Sequence, residues 1–245
     1  MKASVSPTAI ALILFGTGLF SALAQDALVQ NDGQQRDGQI LGVKSGAIRL
    51  KVGPVETSVP MANVKSVTMA PPKAYNDALA AWQKGDAAAT ITLLKPLVEN
   101  FIGLPTKWAS RAASLLGDAY VNTEKITEAE KAFADFQLAY PDAAASADVG
   151  LARLAVAKKD YDTAREKLAP IVENAKKVLL PESGESAVFG QALLLMGEVQ
   201  ESAGENPAAL ENYLLASTVF REDKAVIAKA DERANALKEK NVLAP

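Results

Sequence analysis

Apolar residues follow two different rhythms along this chain, and the change comes at Pro71-Pro72. Before that pair they alternate with polar ones. Ile48, Leu50 and Val52 are separated by Arg49 and Lys51, and Val55, Thr57 and Val59 by Glu56 and Ser58. A period of two puts one side of a strand in a core and the other in water. The pattern predicts strands near Ala27–Gln30, Gln39–Lys44, Ala47–Val52, Val55–Val59 and Val64–Met69, with turns at Asp32-Gly33, Asp37-Gly38, Ser45-Gly46 and Gly53-Pro54. After Pro72 no strand pattern recurs. Leu116 and Tyr120 are four apart and share one helix face, as do Ala129 and Phe133. Pro141 ends the second of these helices and pushes Tyr140 out of the α region.

The helical half repeats itself. Leu116, Gly117, Tyr120, Ala129, Phe133 and Pro141 have the spacing of a 34-residue helix–turn–helix unit. Leu151, Ala152, Ala164 and Leu168 answer them in the next unit, and Met196, Gly197, Ala209 and Tyr213 in the one after. Upstream, Asp77 and Ala78 stand for Leu116 and Gly117, Thr90 for Ala129, and Leu94 for the bulky residue. The longer third interval places an insertion over Val178–Glu185, where Pro181 and Gly184 read as a loop. These positions divide residues 73–240 into helix pairs at about 73–106, 110–143, 145–178 and 190–223, closed by a charged capping helix over 223–240.

The motif resembles the tetratricopeptide repeat (TPR) family, and the run from Phe133 to Ala155 is similar to the repeats of exported bacterial envelope members. The resemblance implies a mainly α fold, a superhelix of αα hairpins. The 25–70 segment resembles a small five-stranded SH3-like or Sm-like barrel. In the TPR family the first helices of successive pairs line a concave face that binds peptides. Carried over by register, that face holds Tyr75, Leu79 and Trp82, then Arg111, Ser114, Asp118 and Asn122, then Ser146, Val149 and Arg153, then Gln191, Leu194, Glu198 and Glu201. Such a lining is aromatic at one end and acidic at the other, which suits an extended peptide or a helix with some basic residues. The clamp of lysines found in chaperone-binding relatives is not visible.

Composition narrows the chemistry. The 245 residues include no Cys and no His, with 26 basic and 29 acidic residues. Thiolate and Ser–His relays are therefore excluded, as are the usual nitrogen and sulfur zinc ligands. No basic block points to nucleic acid, and the β segment lacks the aromatics that stack RNA bases. Gly38, Gly42, Lys44 and Ser45 miss the phosphate-loop pattern because Val43 separates Gly42 from Lys44. Glu128 and Glu130 lie two apart and do not face each other on a helix. No enzyme activity, cofactor or metal is expected.

At the start, Lys2 precedes an apolar run from Ala9 to Leu23 that ends Ala22-Leu23-Ala24. This is the form of a secretory signal peptide over residues 1–24, the alternative being an uncleaved anchor. The run is interrupted by Gly16, Thr17, Gly18 and Ser21. A periplasmic or secreted protein follows, with no lipid-bearing cysteine and no integral membrane segment after cleavage. The functional expectation is a non-enzymatic scaffold that binds a protein or peptide partner in the cell envelope. The alternatives are a self-assembling structural protein, with homo-oligomerisation possible, and a cell-wall glycan-binding module acting through the β unit.

Overall fold

The computed structural model describes residues 26–178, 180–181 and 184–245. The expected signal segment lies outside the described residues. Five antiparallel strands come first: β1 (Asp26–Gln30), β2 (Gln35–Lys44), β3 (Ala47–Val52), β4 (Val55–Pro60) and β5 (Val64–Thr68). They form one sheet in the order β4-β3-β2-β1-β5. β2 serves both halves, pairing with β1 over Gln35–Gly38 and with β3 over Gln39–Lys44.

The expected turn at Asp37-Gly38 is instead the middle of β2, where Asp37 pairs with Ala27 and Gly38 with Asp26. The glycine is there for space. A Cβ on Gly38 would lie 2.5 Å from the Lys51 carbonyl oxygen. The apolar stripe of β3 and β4 also stops short of their turn. Ile48, Leu50 and Val59 are buried, but Val52 and Val55, paired with each other, are exposed.

Nine α-helices follow among the described residues: α1 (Lys73–Gln83), α2 (Ala87–Phe101), α3 (Lys107–Asn122), α4 (Ile126–Ala139), α5 (Ala144–Ala157), α6 (Tyr161–Lys177), α7 (Glu185–Ser202), α8 (Asn206–Thr218) and α9 (Lys224–Glu239). The expected insertion is the link from α6 to α7; its residues 179, 182 and 183 lie outside the described residues. Each helix packs on its chain neighbours, and the odd-numbered helices also touch in sequence, α1 to α3, α3 to α5, α5 to α7 and α7 to α9. The helical part is thus a one-dimensional stack of hairpins.

One turn closes every hairpin. Gly85, Glu124, Lys159 and Gly204 all have positive φ, at 77°, 57°, 62° and 77°. The next residue in each case donates its N–H to a carbonyl five positions back: Asp86 to Ala81, Lys125 to Tyr120, Asp160 to Ala155 and Glu205 to Gln200. This is the Schellman closure, in which a left-handed residue lets the last carbonyls of a helix find donors. Those turns give a register independent of the sequence motif. Five positions after each stands Thr90, Ala129, Ala164 or Ala209, all fully buried. Nine after each stands Leu94, Phe133, Leu168 or Tyr213, and seven before each stands Ala78, Gly117, Ala152 or Gly197. Bulk and space are matched at these positions. The two aromatic rings go with the two glycines, and the two leucines with the two alanines. A Cβ on Gly117 would come within 2.5 Å of the Phe133 ring, and one on Gly197 would collide with the Tyr213 ring.

The second and third hairpins are joined in the same way. The Phe133 ring also presses on Gly150 of the next pair, where a Cβ would again overlap it. At the other end the sheet shares a core with the first helices. Leu28, Ile40, Ile48, Leu50 and Val59 cluster with Tyr75, Leu94, Leu104 and Trp108. Trp108 donates its indole N–H to the Met69 carbonyl at 3.2 Å. Gly42, at φ 143°, lies so close to α2 that a Cβ would sit 2.5 Å from the Asn100 carbonyl oxygen. A second core runs from α5 to α9, through Ala152, Leu168, Leu193, Tyr213, Phe220 and Leu237.

Candidate partner-binding face

The turn register shows which candidates are equivalent. Six positions before each left-handed residue stand Leu79, Asp118, Arg153 and Glu198. Ten before stand Tyr75, Ser114, Val149 and Leu194. Thirteen before stand Arg111, Ser146 and Gln191 in the last three pairs. All sit on the odd-numbered helices, so the stack aligns them along one face.

That face is unevenly open. Val149 and Leu194 are only 2% and 7% exposed, so α5 and α7 are packed over at their middle. Tyr75 is buried against Trp108, ring centres 6.1 Å apart, while Leu79 and Trp82 are half-buried beside it. Arg111 and Asn122 are exposed; Ser114, Ser146, Gln191, Glu198 and Glu201 are half-buried.

The charged candidates pair among themselves. Asp118 on α3 accepts the approach of Arg153 on α5, Oδ1 to Nε 3.4 Å. The contact is ionic rather than a directed hydrogen bond, since Arg153 Nε is buried without a hydrogen-bond partner among the described residues. Burial pushes the Asp118 carboxyl above the usual carboxylate range; Arg153 draws it back, and the negative charge of Asp223 raises it further. Asp223 caps α9, accepting from the N–H groups of Ala225 and Val226, and also takes a long bond of 3.5 Å from the Gln191 amide. Glu198 pairs with Lys229 at 2.6 Å, and Glu201 with Arg233 at 3.5 Å. Glu201 also accepts a 2.9 Å hydrogen bond from the Tyr213 hydroxyl. Burial and the carboxylates Glu201 and Glu198 push that phenol far up.

Asp223, Lys229 and Arg233 were not candidates in the sequence, because α9 reads there as a charged cap. Structurally it is a fifth odd-numbered helix. Asn241 has φ 57° and Val242 donates to the Leu237 carbonyl at 3.1 Å, the closure seen at the end of every other odd-numbered helix. The asparagine was the available signal, since Asn is the commonest non-glycine residue in that conformation.

Arg111 stands apart from this pairing. It has no ion-pair partner among the described residues, and its charge is felt by the Tyr75 phenol, which burial raises and Arg111 lowers. Among the described residues no cluster of His, Cys, Asp or Glu could hold a metal ion, and no helix is long and apolar enough to cross a membrane. Comparison with known proteins adds nothing to these observations: no family model, no curated protein and no solved structure matches the chain.

Proposed function

We propose that this chain is a non-catalytic scaffold of the bacterial cell envelope, exported by its first 24 residues, that binds a protein or peptide segment on the face of its odd-numbered helices. In this reading the stack is a TPR-like superhelix and the sheet a small SH3-like barrel that caps its first pair. The supporting observation is the fivefold use of one helix stop, which lines up the odd-numbered helices and leaves Trp82, Arg111 and Asn122 reachable at one end. Photo-crosslinkers at Asn122 on α3 and at the exposed Leu138 on α4 test it in cells. A partner captured at Asn122, absent at Leu138 and lost with Arg111→Glu, is the expected result. Equal capture at both sites, or none at either, rules the reading out.

A second reading is self-assembly through the sheet. It rests on the exposed Val52–Val55 pair at the tip of β3 and β4, beside the β4 edge, which pairs with no other strand among the described residues. Light scattering that reports a monomer at high concentration removes it.

A further inference from the structure

We propose that the partner segment is acidic and lies along the seam between α1 and α3, one of its carboxylates held by Arg111 beside the Tyr75 hydroxyl. The proposal rests on the reading of this face as a binding surface and specifies which ligand chemistry it takes.

Charge matching carries the argument. Asp118, Glu198 and Glu201 made the face look acidic in the sequence, yet each already has a cation, in Arg153, Lys229 and Arg233. A basic partner would have to displace one of these cations to reach a carboxylate. For Asp118 such displacement strands Arg153, which is largely buried, and that is costly; Lys229 and Arg233 are about half exposed and are displaced at smaller cost. Arg111 needs no such exchange. Its planar fork is exposed and unpaired among the described residues, and it matches a carboxylate with two parallel hydrogen bonds. The Tyr75 hydroxyl makes no hydrogen bond to a described residue and is not among the buried unpartnered atoms, so it remains free as a second donor. A phenol is protonated at neutral pH, so the hydroxyl is a donor there.

Position follows from burial. Beyond α3 the face is covered at Val149 and Leu194, whereas Leu79 and Trp82 keep part of their apolar surface next to Tyr75 on α1. On this face of α3, Arg111 and Asn122 are exposed, and between them Ser114 is half-buried and Asp118 buried beside Arg153. Eleven residues of helix span about 16 Å, the reach of about five extended residues. The segment therefore carries its acidic residue at the Arg111 end and an apolar side chain over Leu79 and Trp82. The Asn122 amide at the far end suits a peptide backbone group.

The test uses two end-blocked pentapeptides, Glu-Ala-Leu-Glu-Leu and its counterpart with lysine for glutamate, titrated into the mature chain from Gln25 onward and followed by tryptophan fluorescence. The glutamate peptide is expected to bind about tenfold more tightly than the lysine peptide, with the margin shrinking as salt is added. Arg111→Lys retains part of that preference and Arg111→Glu reverses it, with the far-ultraviolet circular dichroism of both unchanged because the side chain is exposed. Equal affinities, a preference for the lysine peptide, or no binding of either overturns the proposal. Crosslinking at Asn122 separates the two ideas: a captured partner together with a lysine preference removes the acidic ligand and leaves the binding face.

Discussion

Gly117, Gly150 and Gly197 are held by the aromatic rings that press on them. All three are helical, so their value is space rather than unusual backbone. Gly117→Ala adds a methyl group where the Phe133 ring already lies, and overpacking of this kind costs about 1–3 kcal/mol. Thermal unfolding of Gly117→Ala should show that loss, and adding Phe133→Leu should recover only part of it, because Leu suits Ala as at Ala78 and Ala152 but leaves the space at Gly150 unfilled. Tyr140 is a second single-residue case. It accepts the Gly103 N–H at 3.0 Å, and burial pushes its phenol up to about 12. A phenol near 10 when unfolded and higher when folded stabilises the fold below pH 10 and withdraws that stability as pH rises toward 12. Tyr140→Phe should cost about 1 kcal/mol at neutral pH, from the orphaned N–H, and should flatten the alkaline unfolding curve. Asp118 titrates with the same sign at the acid end. Its folded carboxyl lies above its unfolded value, so the contribution is full below the ordinary carboxylate range and is lost as pH rises through the folded pKa. Arg153→Met, which strands the carboxylate, should cost about 3 kcal/mol at neutral pH and less in acid. Asp118→Asn in the same chain should recover much of the neutral-pH loss, as read by denaturant midpoints at two pH values.

At the level of elements, the four hairpin turns share a backbone but differ in sequence. Two place Gly at the left-handed position, while Glu124 and Lys159 hold it at φ 57° and 62°. A non-glycine residue there costs about 1 kcal/mol or more, so Glu124→Gly should raise the melting temperature. Asp86 and Asp160 cap α2 and α6 through the N–H groups of Ala89 and Thr163, whereas Lys125 gives α4 no side-chain cap. Lys125→Asp should add about 1 kcal/mol, by the same measurement. The strands and hairpins were readable because alternation and the Gly117–Phe133 spacing record contacts made within one element or between adjacent ones. Gly38 was misread as a turn because Asp-Gly has the same appearance whether the glycine bends the chain or makes room for the Lys51 backbone across the sheet. The register of the candidate residues was readable and their charge balance was not. Nothing local to Asp118, Glu198 or Glu201 announces that Arg153, Lys229 and Arg233 neutralise them from other helices.

For the whole molecule, the two cores set how stability is distributed. Sheet and α1 to α4 share the first, which reaches Leu154 of α5, and α5 to α9 share the second; a small cluster of Ala113, Phe136 and Ala147 joins α3, α4 and α5 between them. Gly42→Ala strikes the seam between sheet and helices, at a left-handed φ and against the Asn100 carbonyl. Hydrogen exchange should then quicken in β1 to β5 and in α1 and α2, while α7 and α8 keep their protection; uniform acceleration throughout would show the two cores to be one cooperative unit. The ring of Phe133 has a further consequence, for how such a chain can be rearranged. It fits its own Gly117 and the foreign Gly150, so the junction between the second and third pairs is written as one large residue facing two vacancies. At the next junction the corresponding positions are Leu168 and Leu195, two side chains of middle size. The hairpins therefore share a shape without sharing a connector. Duplicating one, deleting one or exchanging their order leaves a ring against a leucine or a leucine against a hole, so recombination within this array is confined to cuts that carry each bulky residue together with the glycine or leucine it meets downstream.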